Sequence, residues 1–162
     1  MAIFTTPNGH GMYQDETARE GVIRYILNPN KIRNGYWGGA SVDLTNPAGS
    51  MEQVSRKFGK ESGVRLRHFV VSFRPDELDE VEIMDEIAQR VADWLGQEYP
   101  VLYGVHEDKE HLHFHLAMNA VSHLDGHRFR GTKKEFYDLQ NAVKDILLDY
   151  GIFSLHYVSA YR

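Results

Sequence analysis

Four of the nine histidines of this 162-residue chain fall within ten positions: His106, His111, His113 and His115. In an extended strand successive side chains point to opposite faces. His111, His113, His115, Ala117 and Asn119 then share one face, and Leu112, Phe114, Leu116, Met118 and Ala120 the other. A hairpin closed around residues 107–110 would pair His106 with His111, Val105 with Leu112, Tyr103 with Phe114 and Val101 with Leu116, all but the first apolar. That register puts His106 on the histidine face, diagonal to His113, and sets Gly104 opposite His113, where a larger side chain would crowd an ion. Three imidazoles from two strands make a metal site. Such a donor set suits Zn, Ni, Cu, Fe or Mn, and three protein ligands leave positions open for water or a phosphate oxygen. A lone histidine is more often solvated or satisfied by the core, but four on one face favour a site. The metalloprotease helix motif is not met, because His106-Glu107 is followed by a histidine at 111 rather than 110, and no phosphate-cradling or dinucleotide-binding glycine pattern is present.

These histidines need a sheet, and the hydrophobic pattern supplies one. Strands are predicted near Ala2 to Thr6, Arg67 to Phe73, Val101 to His106, His111 to Val121, and from Ile152 towards Tyr161. Helices are predicted from Thr17 to Leu27, with Ala18, Val22 and Ile26 on one stripe, and from Asp79 to Leu95, with Ile83, Ile87, Val91 and Trp94 buried. A short helix bearing Met51, Val54 and Phe58 opens on a Ser50/Gln53 capping box and ends at Gly59. The last helix opens on Thr132/Glu135, buries Phe136, Leu139, Val143, Ile146 and Tyr150, and ends at Gly151. Residues 28–49 read as a loop or hairpin, and Pro7-Asn8-Gly9 as a turn. The expected fold is α+β, a single domain over residues 1–162 with helices packed on a mostly antiparallel sheet.

Composition narrows the class further. Cysteine is absent, which excludes disulfide frameworks and thiolate zinc, and no apolar run approaches a membrane span, so a cytoplasmic protein without a membrane partner is expected. The net charge of −5 hides an asymmetry. Residues 24–74 hold nine Lys or Arg against three acids, and residues 75–98 hold nine acids against one Arg. The basic half permits a nucleic-acid partner that the total would argue against.

The run His106-Glu-Asp108-Lys-Glu-His111-Leu-His113-Phe-His115-Leu-Ala-Met-Asn119 resembles the third motif of the relaxases, HUH endonucleases that mobilise plasmids and conjugative elements. Three further stretches are similar to the same family in the same order: Val22-Ile-Arg-Tyr25-Ile-Leu-Asn-Pro-Asn-Lys31, His68-Phe-Val-Val-Ser72-Phe, and Asp125-Gly-His-Arg-Phe129-Arg130-Gly131. The resemblance implies a bacterial enzyme that nicks one DNA strand at an origin of transfer and keeps its 5′ end as a phosphotyrosine, helped by accessory mobilisation proteins. It further implies that His106, His113 and His115 hold a divalent metal, Mn or Mg, with Zn or Ni able to replace it. Asp108 would orient a histidine, and Tyr25 would be the nucleophile. His111, Asn119, Lys31 and Arg130 are possible additional site residues, and Lys31, Arg33, Arg128, Arg130, Lys133 and Lys134 possible phosphate contacts. Tyr36 and Trp37 are candidates for stacking DNA bases. Relaxases often continue beyond this domain, so a longer parent protein is plausible.

Rival readings use the same residues differently. Rolling-circle initiators and related transposases carry their nucleophile on the helix after the histidine strand, where Tyr137 lies. A histidine-triad nucleotide hydrolase would use His111-Leu-His113-Phe-His115 with His113 as nucleophile and no metal. A single-stranded DNA binding module would use the histidines only to hold a structural ion.

Overall fold

A computed structural model describes residues 2–7, 13–107 and 111–159. The elements run β1 (Ala2–Thr6), α1 (Ala18–Ile26), β2 (Ile32–Ala40), α2 (Pro47–Lys57), β3 (Leu66–Phe73), α3 (Val81–Gly96), β4 (Val101–Glu107), β5 (Leu112–Asn119), α4 (Lys133–Leu148) and β6 (Leu155–Ser159). The strands form one sheet in the order β2-β4-β5-β3-β1-β6. Every pairing is antiparallel except the parallel one between β1 and β6. This is the α+β class expected from the sequence.

The two faces of the sheet are unlike. On one, Phe69, Val71, Phe73, Val101, Tyr103, Val105, Phe114, Leu116 and Met118 pack under α3 and α4 and form the main core. Each buried aliphatic or aromatic side chain of that size contributes roughly 1.5–3 kcal/mol. On the other, α1 and α2 cover only a small cluster of Ile23, Ile26, Met51, Leu66, Leu102 and Ala117. The second face therefore keeps room for polar groups.

Several expectations are corrected. Residues 28–49, expected to be a loop or hairpin, contain a full edge strand, β2, whose partner is the distant β4. Its glycines look like turn residues in sequence, but Gly38 and Gly39 answer to close approach: a Cβ on Gly39 would lie 2.5 Å from the Val101 carbonyl oxygen. The second helix starts at Pro47, capped by Asn46, whose side chain accepts from the Gly49 N–H. Ser50 lies inside the first turn, donating to the Pro47 carbonyl. Proline at the first position and Asn before it are a stronger start than the Ser50 box. In α3 the buried stripe is Val81, Met84, Ile87, Ala88, Val91 and Leu95. Trp94 is 38% exposed, because the helix is rotated to set its small residues, Ala88 and Ala92, against the sheet. The capping box of α4 forms as expected from Thr132 and Glu135.

The β4–β5 register is shifted by two from the expected one. Glu107 pairs with Leu112, His106 with His113, Gly104 with His115, and Val105 with Phe114. An even shift preserves the faces, so the histidines stay together, but their partners change. Pro7 is described, whereas Asn8 and Gly9 of the expected turn, with Asp108, lie outside the described residues.

Candidate metal centre

The site is assembled on the less apolar face, where β4, β5 and β3 pass beneath α1. His106 faces His113 across the β4–β5 ladder, and His115 takes the next same-face position, opposite Gly104. Ring centroids are 4.2 Å apart for His106 and His115, 5.4 Å for His106 and His113, and 5.0 Å for His113 and His115. One nitrogen from each of the three lies within 4.8 Å of the other two, close enough to share one cation.

The hydrogen bonds decide which nitrogens are offered. The Nε2 of His106 lies 2.7 Å from the Ile26 carbonyl oxygen, which can only accept. In the neutral ring Nε2 therefore carries the proton and Nδ1 the lone pair. That carbonyl belongs to the last residue of α1, a helix end that needs an outside donor. His115 is 5% exposed, and its Nε2 is buried with no hydrogen-bond partner. A buried imidazole nitrogen left orphaned beside two other imidazoles fits a metal ligand better than a structural role. Burial, then the neighbouring His106, holds His115 well below the usual imidazole range, so it is neutral and able to donate its lone pair.

α1 stands directly over this cluster and carries Tyr25. The tyrosine ring centroid is 5.4 Å from that of His115, 5.8 Å from His106 and 6.3 Å from His68, and the residue is 42% exposed. Lys31 places its ammonium 4.8 Å from the Tyr25 ring centroid. Gly104 makes this approach possible, since a Cβ there would sit 2.7 Å from Ile26 Cγ2 and 3.2 Å from the Ile26 carbonyl oxygen. The space at Gly104 thus admits the end of α1 rather than the ion itself.

Of the residues expected at the site, His106, His113, His115, Tyr25 and Lys31 come together. His111 precedes β5 and is exposed, outside the three-histidine group. Asn119 is fully buried and ties helices together instead: its Oδ1 accepts from Arg19 Nε at 3.0 Å, and its Nδ2 donates to Ser55 Oγ at 3.1 Å. Arg130 is exposed in the turn before α4, the helix on the opposite face, and its backbone N–H donates to Glu135. Tyr137, 65% exposed, is on α4 itself. Arg128 spends its guanidinium on the carbonyls of Lys60 and Ser62, and Lys134 on Asp138. Tyr36 and Trp37 separate, as neighbours on a strand must. Tyr36 donates to Glu82 of α3, whereas Trp37 pairs with Gly104 and so shares the histidine face, 37% exposed. The side chain of Arg33 lies outside the described residues.

Sequence reading missed three contributors. His68 of β3, within the second stretch similar to the relaxases, lies 2.7 Å from His115, Nε2 to Nδ1. Arg19 and Ser55, with Asn119, form a buried polar clamp between α1, α2 and β5. Arg19 could have been suspected, because it falls one turn before Ile23 on the inward face of α1.

The buried imidazoles make stability pH-dependent. Burial, then the neighbouring His106, lowers the pKa of His68 to about 4, below the 6.5 of an unfolded chain. Between those values the unfolded state binds the extra proton, so stability is full above pH 6.5 and falls as pH descends towards 4. For His68 alone the loss is on the order of 3 kcal/mol, and His115 adds in the same direction. Urea unfolding with chelator present should show a lower midpoint at pH 4.5 than at pH 7, with a flatter slope in His68→Gln. Equal midpoints would mean that His68 is not buried as a neutral ring.

The chain matches the family model "Relaxase: MobA/VirD2-like, nuclease domain" over residues 25–152, and it belongs to that family. It is 29% identical over 97 residues to the protein Rlx of Staphylococcus aureus, a stretch that covers 60% of this chain and 30% of the relative. It is 30% identical over 115 residues to the protein TraI of Escherichia coli, covering 67% of this chain and 15% of that one. Over 71 residues it is 32% identical to the group II intron-interrupted relaxase LtrB of Lactococcus lactis, covering 43% of this chain and 13% of the relative. The chain thus spans less than a third of the length of these relatives.

Proposed function

We propose that this chain nicks one strand of DNA at an origin of transfer and keeps the 5′ end as a phosphotyrosine on Tyr25, with Mn²⁺ or Mg²⁺ held by His106, His113 and His115. The observation that carries this reading is the Tyr25 ring standing within 5.4–6.3 Å, centroid to centroid, of His115, His106 and His68, on a helix whose last carbonyl is bonded to His106. The cation, when bound, neutralises charge on the scissile phosphate.

The residues of the chain supply the rest. The Tyr25 oxygen forms a bond to phosphorus as the bond from phosphorus to the 3′ oxygen breaks, and the 3′ oxygen leaves with a proton as a hydroxyl. The new phosphodiester keeps the energy of the old one, so the same 3′ hydroxyl can reverse the step and reseal the strand. Lys31 is placed to meet phosphate charge beside the phenol, and Trp37 offers a ring on the same face on which an unpaired base can stack. The net negative charge does not oppose this outright, because four of the nine acids in 75–98 lie on α3, across the sheet from the histidines. Accessory mobilisation proteins would bring the origin to the domain.

Peptide mapping tests the assignment. Incubation with Mn²⁺ and an origin oligonucleotide should yield an adduct that resists denaturant, and trypsin should leave the nucleotide on the peptide Tyr25–Lys31. A nucleotide on the peptide containing Tyr137 would replace this reading with that of an initiator or transposase. Binding of the oligonucleotide without cleavage would favour a DNA-binding module.

A further inference from the structure

His68 reaches the site from β3 with no part in the chemistry above. Its same-face neighbour across the β3–β5 ladder is Ala117, which leaves its ring room to lean towards His115 one position along. The contacts then form a line: His115 Nδ1 to His68 Nε2 at 2.7 Å, His68 Nδ1 to Tyr13 Oη at 3.3 Å, and Tyr13 Oη to the Pro7 carbonyl at 3.2 Å. A line of this kind can carry its protons in either of two directions.

The end of the line selects one. The Pro7 carbonyl only accepts, so Tyr13 donates to it and its oxygen accepts from His68 Nδ1–H. The Nε2 of His68 then holds a lone pair and accepts from His115 Nδ1–H, leaving the lone pair of His115 on Nε2. In the opposite direction, Tyr13 gives up its bond to Pro7, and His115 carries a buried N–H on Nε2 with nothing to receive it. That arrangement costs about 1–3 kcal/mol for the orphaned donor alone.

Resting on the reading of the three histidines as metal ligands, we infer that His68, backed by Tyr13, is a positioning residue that fixes the tautomer of His115 so that its Nε2 lone pair faces the cation. His106 needs no such partner, because a main-chain carbonyl performs the same task for it. A metal-bound histidine generally gives its second N–H to an acceptor, and losing that acceptor weakens metal affinity by about 10- to 100-fold. Here the acceptor is another imidazole, neutral and buried, rather than a carboxylate.

Two measurements test this. In metal-free ¹⁵N-labelled protein, long-range proton–nitrogen correlation spectra should show His115 protonated at Nδ1 in the wild type and in His68→Gln, whose amide oxygen can replace the acceptor. Titration calorimetry with Mn²⁺ should show affinity within about threefold of wild type for His68→Gln and about 10- to 100-fold weaker for His68→Leu. A proton on His115 Nε2 in the wild type overturns the inference whether or not the leucine variant folds. Equal Mn²⁺ affinity in wild type and His68→Leu overturns it while leaving the metal site standing. A wild type that binds no Mn²⁺ overturns the metal site and the inference together.

Discussion

Tyr25→Phe is expected to lower formation of the covalent DNA adduct by at least about 10³-fold, because the substitution removes the one atom proposed to bond to phosphorus and little else. The residue is 42% exposed on α1, so losing its hydroxyl should change stability by less than about 0.5 kcal/mol. Affinity for the uncut oligonucleotide should hold, since the phenylalanine ring still covers the histidines. Tyr137→Phe is the matched control. It removes the same atom from α4, across the sheet from the three histidines, and should leave adduct formation within about twofold of wild type. Persistence of the adduct in Tyr25→Phe, with loss in Tyr137→Phe, would reverse the assignment.

Metal removal should be as damaging. Chelation is expected to reduce cleavage by about 10³-fold, the rate equivalent of several kcal/mol of charge stabilisation, and added Mn²⁺ should restore it. His113→Ala should bring cleavage down similarly, and Mn²⁺ at ordinary concentration should not rescue it. His113 is the informative choice because it is the least buried of the three histidines, so its truncation disturbs packing less than truncation of His106 or His115. Its effect on metal affinity should exceed the roughly 10- to 100-fold cost of losing only an outer hydrogen-bonding partner. Cleavage undiminished by chelator, yet abolished in His113→Ala, would revive the metal-free hydrolase reading with His113 as nucleophile.

Much of the candidate metal centre is legible in the chain because a strand has a period of two. That period puts His113 and His115 on one face and Phe114 and Leu116 on the other whatever the strand pairs with. The match of apolar β4 and β5 residues brings His106 to the same face in either of the two registers. It does not choose between them. The observed pairing of His106 with His113 depends on where the hairpin closes, which the apolar residues leave undetermined because both registers bury the same side chains.

β2 illustrates the opposite limit. Local preference marks a run with Gly35, Gly38 and Gly39 as loop; only the crowding of β4 and α3 explains why Gly38 and Gly39 must be small, whereas Gly35 meets its positive φ of 83°. The relaxase resemblance makes Asn119 a possible additional site residue. It is instead consumed by Arg19 and Ser55, partners from two helices that are distant in sequence. His68 is the converse case, an unremarkable strand histidine until β3 is laid beside β5.

By itself, then, the sequence determined the elements whose periodicity is strong, the α+β class, and the common face of His106, His113 and His115. The first two follow from each segment's own repeat; the third needs only that the apolar residues of β4 and β5 be matched across an adjacent hairpin, in either register. Tertiary structure alone decided the register of the histidine hairpin, the seating of Tyr25 above the triad through Gly104 and the Ile26 carbonyl, and the pairing of His68 with His115. Each depends on contacts between segments far apart in the chain, where packing and hydrogen-bond satisfaction, not local repeat, select the partner.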